Sequence, residues 1–216
     1  MAVEVNEGTK RLIRAGFTQW RKQLNFVREL FEAGHIPEAR ILTVVYLDGF
    51  SNWLHPESRS LGLNFTRTLM RYGGAPVFSL ILPDLIIKNH EQGLKRNPTF
   101  DMIATFILNL PLHETYTVDE FSALAAKHLS EPALSKLKSI MYKGTIAYEV
   151  YGELRSPNVH HLGSFAGFIF SDHIYHGEPL PIVNFDMLYA ALQRIFNHAE
   201  KSALELGRTL GPPEIV

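Results

Sequence analysis

Long segments of helical periodicity dominate this sequence and restrict the chain to an α-helical architecture. Between Asn6 and Gly34, apolar residues recur at alternating spacings of four and three: Ile13, Phe17, Trp20, Leu24, Val27 and Phe31. Residues spaced in this way fall on one face of a helix, and that face must pack against a core or a partner. The spacing therefore predicts a first helix over about 7–33.

Three further segments carry helix signals. Pro37 stands where a helix starts, and the residues after it are apolar on almost every side, which is typical of a central buried helix. Pro132 opens another segment with regular apolar positions, and Asn184 can cap a last helix that Gly207 ends. We expect these three helices at about 37–54, 132–155 and 184–206.

Shorter helices are expected between the long ones. Thr117 and Glu120 form the signature of a capping box, which predicts that a helix begins at Val118. Residues 60–130 contain several short segments of this kind, and we interpret them as a helical insert. Two extended stretches near 165–183, separated by polar residues, predict a small β-hairpin.

The helix count, with no alternation of helices and strands, favours an all-α helical bundle with extra short helices. A chain of 216 residues suits a single domain, 1–216, with a sizeable core. The net charge of −1 argues against a protein that holds nucleic acid through a broad basic surface, because that mode needs many cations. It permits a compact site for one phosphate.

The composition also indicates a compartment. The sequence contains no cysteine, so it can form neither a disulfide nor a thiolate zinc site, and a reducing compartment is expected. The N-terminal residues lack the apolar core of a signal peptide, and no window reaches the ~18 apolar residues of a membrane span. We therefore expect a cytoplasmic protein with no membrane partner.

The residues best suited to chemistry lie together in the segment YGELRSPNVHHLG, residues 151–163. An arginine fork matches phosphate oxygens and stays charged, which makes Arg155 a candidate phosphate ligand. A histidine, with an ordinary pKa of about 6.5, can exchange a proton with a ribose 2′-hydroxyl or a 5′-oxygen, which makes His160 a candidate acid/base. From spacing alone, an arginine paired with an acid and a histidine capping the helix is the competing interpretation.

The same segment resembles the R-x4-6-H motif of the HEPN superfamily, in the form where an aromatic and leucine-bearing helix leads into R-x-P-x-V-H. The upstream segment ILTVVYLDGFSNWL is similar to the second helix of that family, an apolar stretch with an aspartate followed by a small residue. The resemblance covers roughly 7–55 and 132–206. The helices between these ranges lie outside it.

This resemblance implies an all-α bundle, usually a homodimer, in which Arg155 and His160 of both chains form a composite RNA-cleaving site. Arg155 would hold and polarise the scissile phosphate, and His160 would act as the acid/base, with no metal or cofactor. Such enzymes often act as toxins or in defence against phage, sometimes neutralised by a partner protein, the antitoxin.

The neighbouring residues of the motif have alternative assignments. Asn158 is either a donor to phosphate or a turn residue, and His161 is the alternative histidine, since a spacing of five is also within the family's range. Ser156 follows Arg155 and belongs to the candidate RNA-binding residues, but many active members have Asn, Asp or His at this position. Some members of the superfamily are inactive binding modules.

Asp48 is the exceptional residue of the apolar second helix. An acid in such a helix must find a hydrogen-bond donor or be neutral. Two roles remain open from the sequence: Asp48 orients Arg155 or a backbone group, or it is a structural partner of a tyrosine or serine.

Two other features allow alternatives. Four histidines lie within 17 residues and could ligate a transition metal: His160, His161, His173 and His176. The HExxH motif is absent, and we expect no metal site. The cations of the first helix form either a solvated face or an RNA-contacting face: Lys10, Arg11, Arg14, Arg21, Lys22 and Arg28.

Three functional interpretations follow from these residues. The first is a metal-independent endoribonuclease with RNA as its substrate. The second is a non-catalytic HEPN-like module whose motif loop binds a nucleotide, RNA or a protein partner. The third is a helical protein whose N-terminal helix face mediates assembly.

Overall fold

The structure is a computed structural model, and it describes residues 5–91, 97–155 and 173–210. Within these residues the fold is all-α, as predicted, with nine α-helices and one two-stranded hairpin. The helices are α1 Glu7–Glu32, α2 Ile36–Leu54, α3 Leu61–Tyr72, α4 Pro83–Glu91, α5 Pro98–Leu108, α6 Val118–His128, α7 Glu131–Ile140, α8 Ile146–Arg155 and α9 Phe185–Leu206. The hairpin pairs β1 Ile174–Tyr175 with β2 Glu178–Pro179, and two 3-10 helices occupy Pro76–Ser79 and Met141–Gly144.

The chain forms two compact units. Of the described residues, the first unit contains 5–74 and 185–210, and the second contains 75–91, 97–155 and 173–184. The first unit thus holds α1, α2, α3 and α9, and the second holds the other helices and the hairpin. The description of 1–216 as one domain with an insert at about 60–130 stays a prediction.

The first unit is built on the predicted apolar stripe of α1. Ile13, Phe17, Leu24 and Val27 are all buried. α1 packs against α2 and α9, and α3 packs against both α2 and α9. Aromatic rings meet in the core, where Phe17 lies 5.3 Å from the Phe196 ring. The predicted bounds of α1, α2 and α9 agree with the structure to within about one residue because amphipathic periodicity is a local property.

The second unit is organised around a short extended segment, Leu80–Leu82, which is buried. Ile81 and Tyr116 exchange both of their backbone hydrogen bonds, at 2.7 and 3.1 Å, on one side of this segment. The surrounding helices contribute a core of aliphatic and aromatic side chains that includes Ile86, Ile103, Phe106, Phe121, Ala125, Leu134, Leu137 and Ile140. The short helices surround this segment, which forms isolated β-bridges and not a sheet, and we name it the internal strand.

The single helix predicted over 132–155 is wrong. α7 ends at Ile140, a 3-10 turn follows, and α8 begins at Ile146. The apolar positions on both sides of the break are inward-facing, as predicted, but they belong to two helices. The break separates the helix that carries Arg155 from the helix before it.

Backbone hydrogen bonds to the internal strand cause this break. The Leu82 N–H donates to the Gly144 carbonyl at 2.8 Å, and the Ile146 N–H donates to the Leu80 carbonyl at 3.1 Å. The Gly144 carbonyl and the Ile146 N–H are therefore hydrogen-bonded to the internal strand. A continuous α7–α8 helix would use both groups within the helix and would leave the backbone groups of the strand unpaired in the core. The extended backbone of Thr145 links the two elements.

Two smaller predictions are confirmed. Thr117 and Glu120 form a reciprocal capping box at the start of α6, with the Thr117 N–H donating to Glu120 Oε2 at 2.7 Å. The β-hairpin predicted near 165–183 is present at 174–179, where His176 and Gly177 form the turn with positive φ angles of 51° and 83°. Residues 165–172 lie outside the described residues. Across the described ranges, no helix combines the length and apolarity that a membrane crossing requires.

Candidate functional site

α8 carries the candidate arginine. Its inner face is fixed in the second unit by three residues that are completely buried: Ile146, Ala147 and Val150. Arg155 is the last residue of α8 that the structure describes. Four predicted site residues lie outside the described residues: Ser156, Asn158, His160 and His161. The side chain of Arg155 also lies outside them. The structure therefore describes the elements on which the motif is mounted.

The start of α8 is fixed by Thr145. Its Oγ1 accepts a hydrogen bond from the Tyr148 N–H at 3.2 Å and donates one to the Tyr142 carbonyl at 2.7 Å. The Tyr148 ring meets the Tyr142 ring edge-on, with 5.5 Å between their centroids. A capping side chain and a partly buried aromatic pair thus hold the first turn of the helix, and burial raises the pKa of Tyr148.

A polar anchor joins the middle of α8 to α4. Lys88 Nζ lies 2.8 Å from Glu149 Oε1, and the Glu149 side chain is only 14% exposed. The Asn89 amide donates to the Lys143 carbonyl at 2.9 Å and lies 3.4 Å from Glu149 Oε2. The charge of Glu149, six residues before Arg155, is therefore balanced from α4. The sequence offered no signal for this anchor, since Lys88 and Glu149 are 61 residues apart.

Asp48, the predicted supporting residue, lies on α2 in the first unit and is partly buried. Its neighbours Leu47 and Phe50 are each 1% exposed, but Ile41 and Val45 are 37% and 52% exposed. The prediction that α2 is buried on almost every side is therefore wrong, because the helix is covered on one face only. Arg155 belongs to the second unit. The role of Asp48 in orienting Arg155 stays a prediction.

The two described histidines of the metal alternative have separate carboxylate neighbours. His173 Nε2 lies 3.5 Å from Asp84 Oδ1 on α4, and its ring meets the His113 ring edge-on at 5.5 Å. His176 Nε2 lies 3.2 Å from Glu120 Oε1 on α6. In the parts of the chain that the structure describes, no three histidine, aspartate or glutamate residues are grouped so that they could hold a metal ion.

Two buried ionisable residues were not singled out from the sequence. Arg40 on α2 is 9% exposed, has no carboxylate at ion-pair distance among the described residues, and has its pKa lowered by burial. His90 on α4 is 5% exposed and packs on Phe100, and burial together with Lys143 and Lys136 lowers its pKa. Nothing in the local sequence separates them from surface residues, because their burial depends on neighbouring helices.

A cavity of about 520 Å³ lies on the second unit beside α5 and the end of α6. Its lining is mainly apolar and includes Phe106, with one carboxylate from Asp101 and one imidazole from His128. The His128 ring stacks on Phe106 at 5.9 Å. None of the cavity-lining residues belongs to α8, so this cavity is distinct from the helix that carries the motif.

No family model, curated protein or solved structure matches this chain. The candidate site is accordingly defined by Arg155 at the end of α8, by the motif residues that follow it, and by the contacts that fix α8 in the second unit.

Proposed function

We propose that the chain is a HEPN-like, metal-independent endoribonuclease with Arg155 and His160 as its catalytic residues. The observation that supports this proposal is that α8 carries Arg155 in the last turn that the structure describes. A helix that is buried along one side and anchored through Glu149 provides a rigid mount for an arginine. Pro157 cannot continue a regular helix, so the sequence predicts that the helical segment ends before His160.

The proposed chemistry needs only these two kinds of side chain. Arg155 binds the non-bridging oxygens of the scissile phosphate and stabilises the charge that develops on them. The ribose O2′ attacks phosphorus while His160 accepts the 2′-hydroxyl proton, and the bond from phosphorus to O5′ breaks. A protonated histidine gives a proton to the leaving O5′. The products are a 2′,3′-cyclic phosphate and a 5′-hydroxyl.

The other predicted residues have supporting roles in this proposal. Asn158 and Ser156 donate hydrogen bonds to the RNA backbone, and His161 is the second histidine available for proton transfer. Asp48 supports the arginine from α2. In the homodimer, the arginine and histidine of both chains contribute to one composite site.

The biological setting that the resemblance implies is part of the same proposal. We place the protein in the cytoplasm as a toxin or phage-defence component, with RNA as substrate and an antitoxin or other protein as partner. The alternative function is a non-catalytic module that binds RNA or a nucleotide through the same loop. The observation that favours the alternative is Ser156, where many active HEPN proteins carry Asn, Asp or His.

The test is incubation of the pure protein with an end-labelled structured RNA in EDTA. We expect cleavage that leaves a 2′,3′-cyclic phosphate and is lost in Arg155→Ala and in His160→Ala. The matched controls are Arg59→Ala and His35→Ala, two exposed residues of the same types in the first unit. Cleavage that persists in both motif variants would overturn the assignment. Binding without cleavage by the wild-type protein would favour the non-catalytic module.

A further inference from the structure

α1 is a helix with an unusual charge distribution. Between Gly8 and Arg28 it contains six lysines and arginines and no aspartate or glutamate. Three of these cations are neutralised in the structure: Lys10 pairs with Glu7, Arg21 with Glu200, and Arg28 with Asp186. The other three are Arg11, Arg14 and Lys22, and they are exposed.

These three residues, which we name the basic stripe, make no ion pair with any described residue. The nearest acid along the helix at the N-terminal end is Glu7, which is held by Lys10 at 2.8 Å. At the C-terminal end, the first exposed acid is Glu29. The basic stripe therefore carries an excess of positive charge on a chain whose net charge is −1, and Glu7 offsets part of this charge at Arg14.

Helix geometry places Arg11 and Lys22 on the face of α1 opposite the core, with Arg14 on its flank. Arg11 and Lys22 are about three turns apart, so they lie on the same side of α1 to within about 20° and about 16 Å along its axis. Arg14 lies about 60° from Arg11 on the same exposed side. The buried line through Phe17 and Leu24 points the other way. Arg11 and Lys22 thus form a line along the exposed face, and Arg14 lies beside the N-terminal part of that line.

An exposed aromatic ring extends this line. Phe26 is 47% exposed, although it is a large apolar side chain. It follows Lys22 by about one helical turn, so the ring lies beside the end of the basic stripe. Cations that track a phosphate backbone, with an aromatic ring on which a base can stack, are the combination used to bind single-stranded nucleic acid.

We propose that the basic stripe and Phe26 form a docking surface for single-stranded RNA. Arg11, Arg14 and Lys22 contact successive backbone phosphates, and Phe26 stacks on one base. The charge complementarity is with phosphate, and the exposed ring favours RNA over an acidic protein. The choice of RNA rests on the proposed function, for which this surface supplies substrate binding outside the Arg155 motif.

The test separates binding from cleavage by using an RNA analogue that cannot be cut. The probe is a fluorescein-labelled, unstructured 2′-O-methyl oligoribonucleotide, which has no 2′-hydroxyl to attack phosphorus. Its Kd is measured by anisotropy with the full-length protein over a series of salt concentrations. The variant Arg11→Glu/Lys22→Glu removes two contacts of the basic stripe. The matched control Lys127→Glu/Lys138→Glu makes the same charge change at two exposed lysines of the second unit.

We expect the variant of the basic stripe to bind roughly tenfold or more weakly than the wild type, with the control much less affected. The slope of log Kd against log salt should fall by about 1.4, which corresponds to two lost contacts with a single strand. A milder variant, Arg11→Gln/Lys22→Gln, should show the same direction, and circular dichroism checks that each protein is folded. Phe26→Leu should weaken binding without changing the slope.

Three results would overturn the docking surface: no binding by the wild type, equal loss in variant and control, or an unchanged salt slope. The ribonuclease proposal fails differently. If the wild type binds the probe through the basic stripe but does not cleave natural RNA, the docking surface stands and the catalytic assignment falls. If natural RNA is cleaved but the Kd of the probe is the same for the variant of the basic stripe and the wild type, the proposed docking surface is wrong and the catalytic assignment stands.

Discussion

Gly144 packs directly against the side chain of Ile86 at the turn between α7 and α8. A Cβ atom on Gly144 would overlap Ile86 Cγ1 and come within 3.2 Å of the Leu82 carbonyl oxygen. Only a glycine lets the turn approach α4 and the internal strand this closely. The contact thus sets where α8 begins and, through the length of that helix, where Arg155 lies.

Replacing Gly144 with alanine should destabilise the protein. Because Ile86 and the Leu82 backbone are both buried, relief of the overlap requires core movement, and we expect a loss of about 1–3 kcal/mol in the free energy of unfolding. The measurement is urea-induced unfolding followed by circular dichroism. RNA cleavage should fall as well, since α8 would be displaced.

The matched control is Gly152→Ala on α8. A Cβ there meets nothing within 4 Å, and alanine is the better helix former, so stability should rise by up to about 1 kcal/mol. If Gly144→Ala and Gly152→Ala proved equally stable, the close approach to Ile86 would not determine the break between α7 and α8.

The comparison of α7–α8 with α1 explains what the sequence could and could not predict. The buried residues of α1 are spaced three and four apart in the sequence, so the bounds of this helix were predictable. The break at Gly144 depends on hydrogen bonds from Leu80–Leu82, more than sixty residues away in sequence. No local pattern encodes a contact of that range, and the apolar spacing continues through the break.

The candidate site divides in the same way. The Pro157 signal is local and predicts a helix end near Arg155; the structure describes α8 as far as Arg155, and Pro157 lies outside the described residues. The anchor between Lys88 and Glu149 was missed because it joins two helices that are distant in sequence. The burial of Arg40 was missed for a similar reason, since α2 is apolar on several sides and its packing determines which side is enclosed.

The anchor on α8 should matter for activity more than for stability. Lys88→Met and Glu149→Gln each remove one charge from the pair, and a double-mutant cycle should give a coupling energy of about 0.5–1 kcal/mol because Lys88 is half exposed. Each single variant should lower the rate of RNA cleavage, as α8 loses its link to α4. Cleavage at the wild-type rate in both single variants would contradict a positioning role.

Arg40 should reduce the stability of the first unit. The cation is 9% exposed and has no carboxylate at ion-pair distance among the described residues. Arg40→Met keeps much of the side-chain volume and removes the desolvated charge, so we expect the free energy of unfolding to rise by about 1 kcal/mol or more.

The exposed Arg59→Met serves as the control for Arg40→Met and should change stability by less than about 0.5 kcal/mol. Urea unfolding of the two variants gives the comparison. A destabilised Arg40→Met protein would contradict the interpretation and would indicate that the guanidinium has a favourable partner.

His90 should make the protein less stable in mild acid. Burial, Lys143 and Lys136 lower its pKa, so the unfolded chain takes up a proton at a pH where the native state does not. Its contribution to stability is therefore complete above the ordinary histidine pKa of about 6.5 and is lost as the pH falls towards the lower folded-state pKa. The slope cannot exceed about 1.4 kcal/mol per pH unit for one proton.

The check on His90 is the free energy of unfolding measured between about pH 5 and 7.5 for the wild type, His90→Gln and His90→Leu. Both variants remove the titrating group and should give a shallower dependence on pH. His198 should also destabilise the protein in mild acid, because burial, Arg71 and Lys201 lower its pKa. Any dependence of the free energy of unfolding on pH that remains in the His90 variants should therefore disappear when His198→Gln is added. An unchanged slope after both replacements would contradict the assignment.

If the site is composite, an inactive subunit should abolish the cleavage activity of the dimer that contains it. If Arg155 and His160 of both chains meet in one site, a chain carrying Arg155→Ala/His160→Ala should inactivate the wild-type chain with which it pairs. Subunits are mixed under conditions that allow exchange, and cleavage is measured against the fraction of inactive chain. We expect activity to follow the square of the wild-type fraction, because only wild-type pairs cut RNA. A linear decrease would show that each chain acts alone, and the Arg155 motif would then be a site within one subunit.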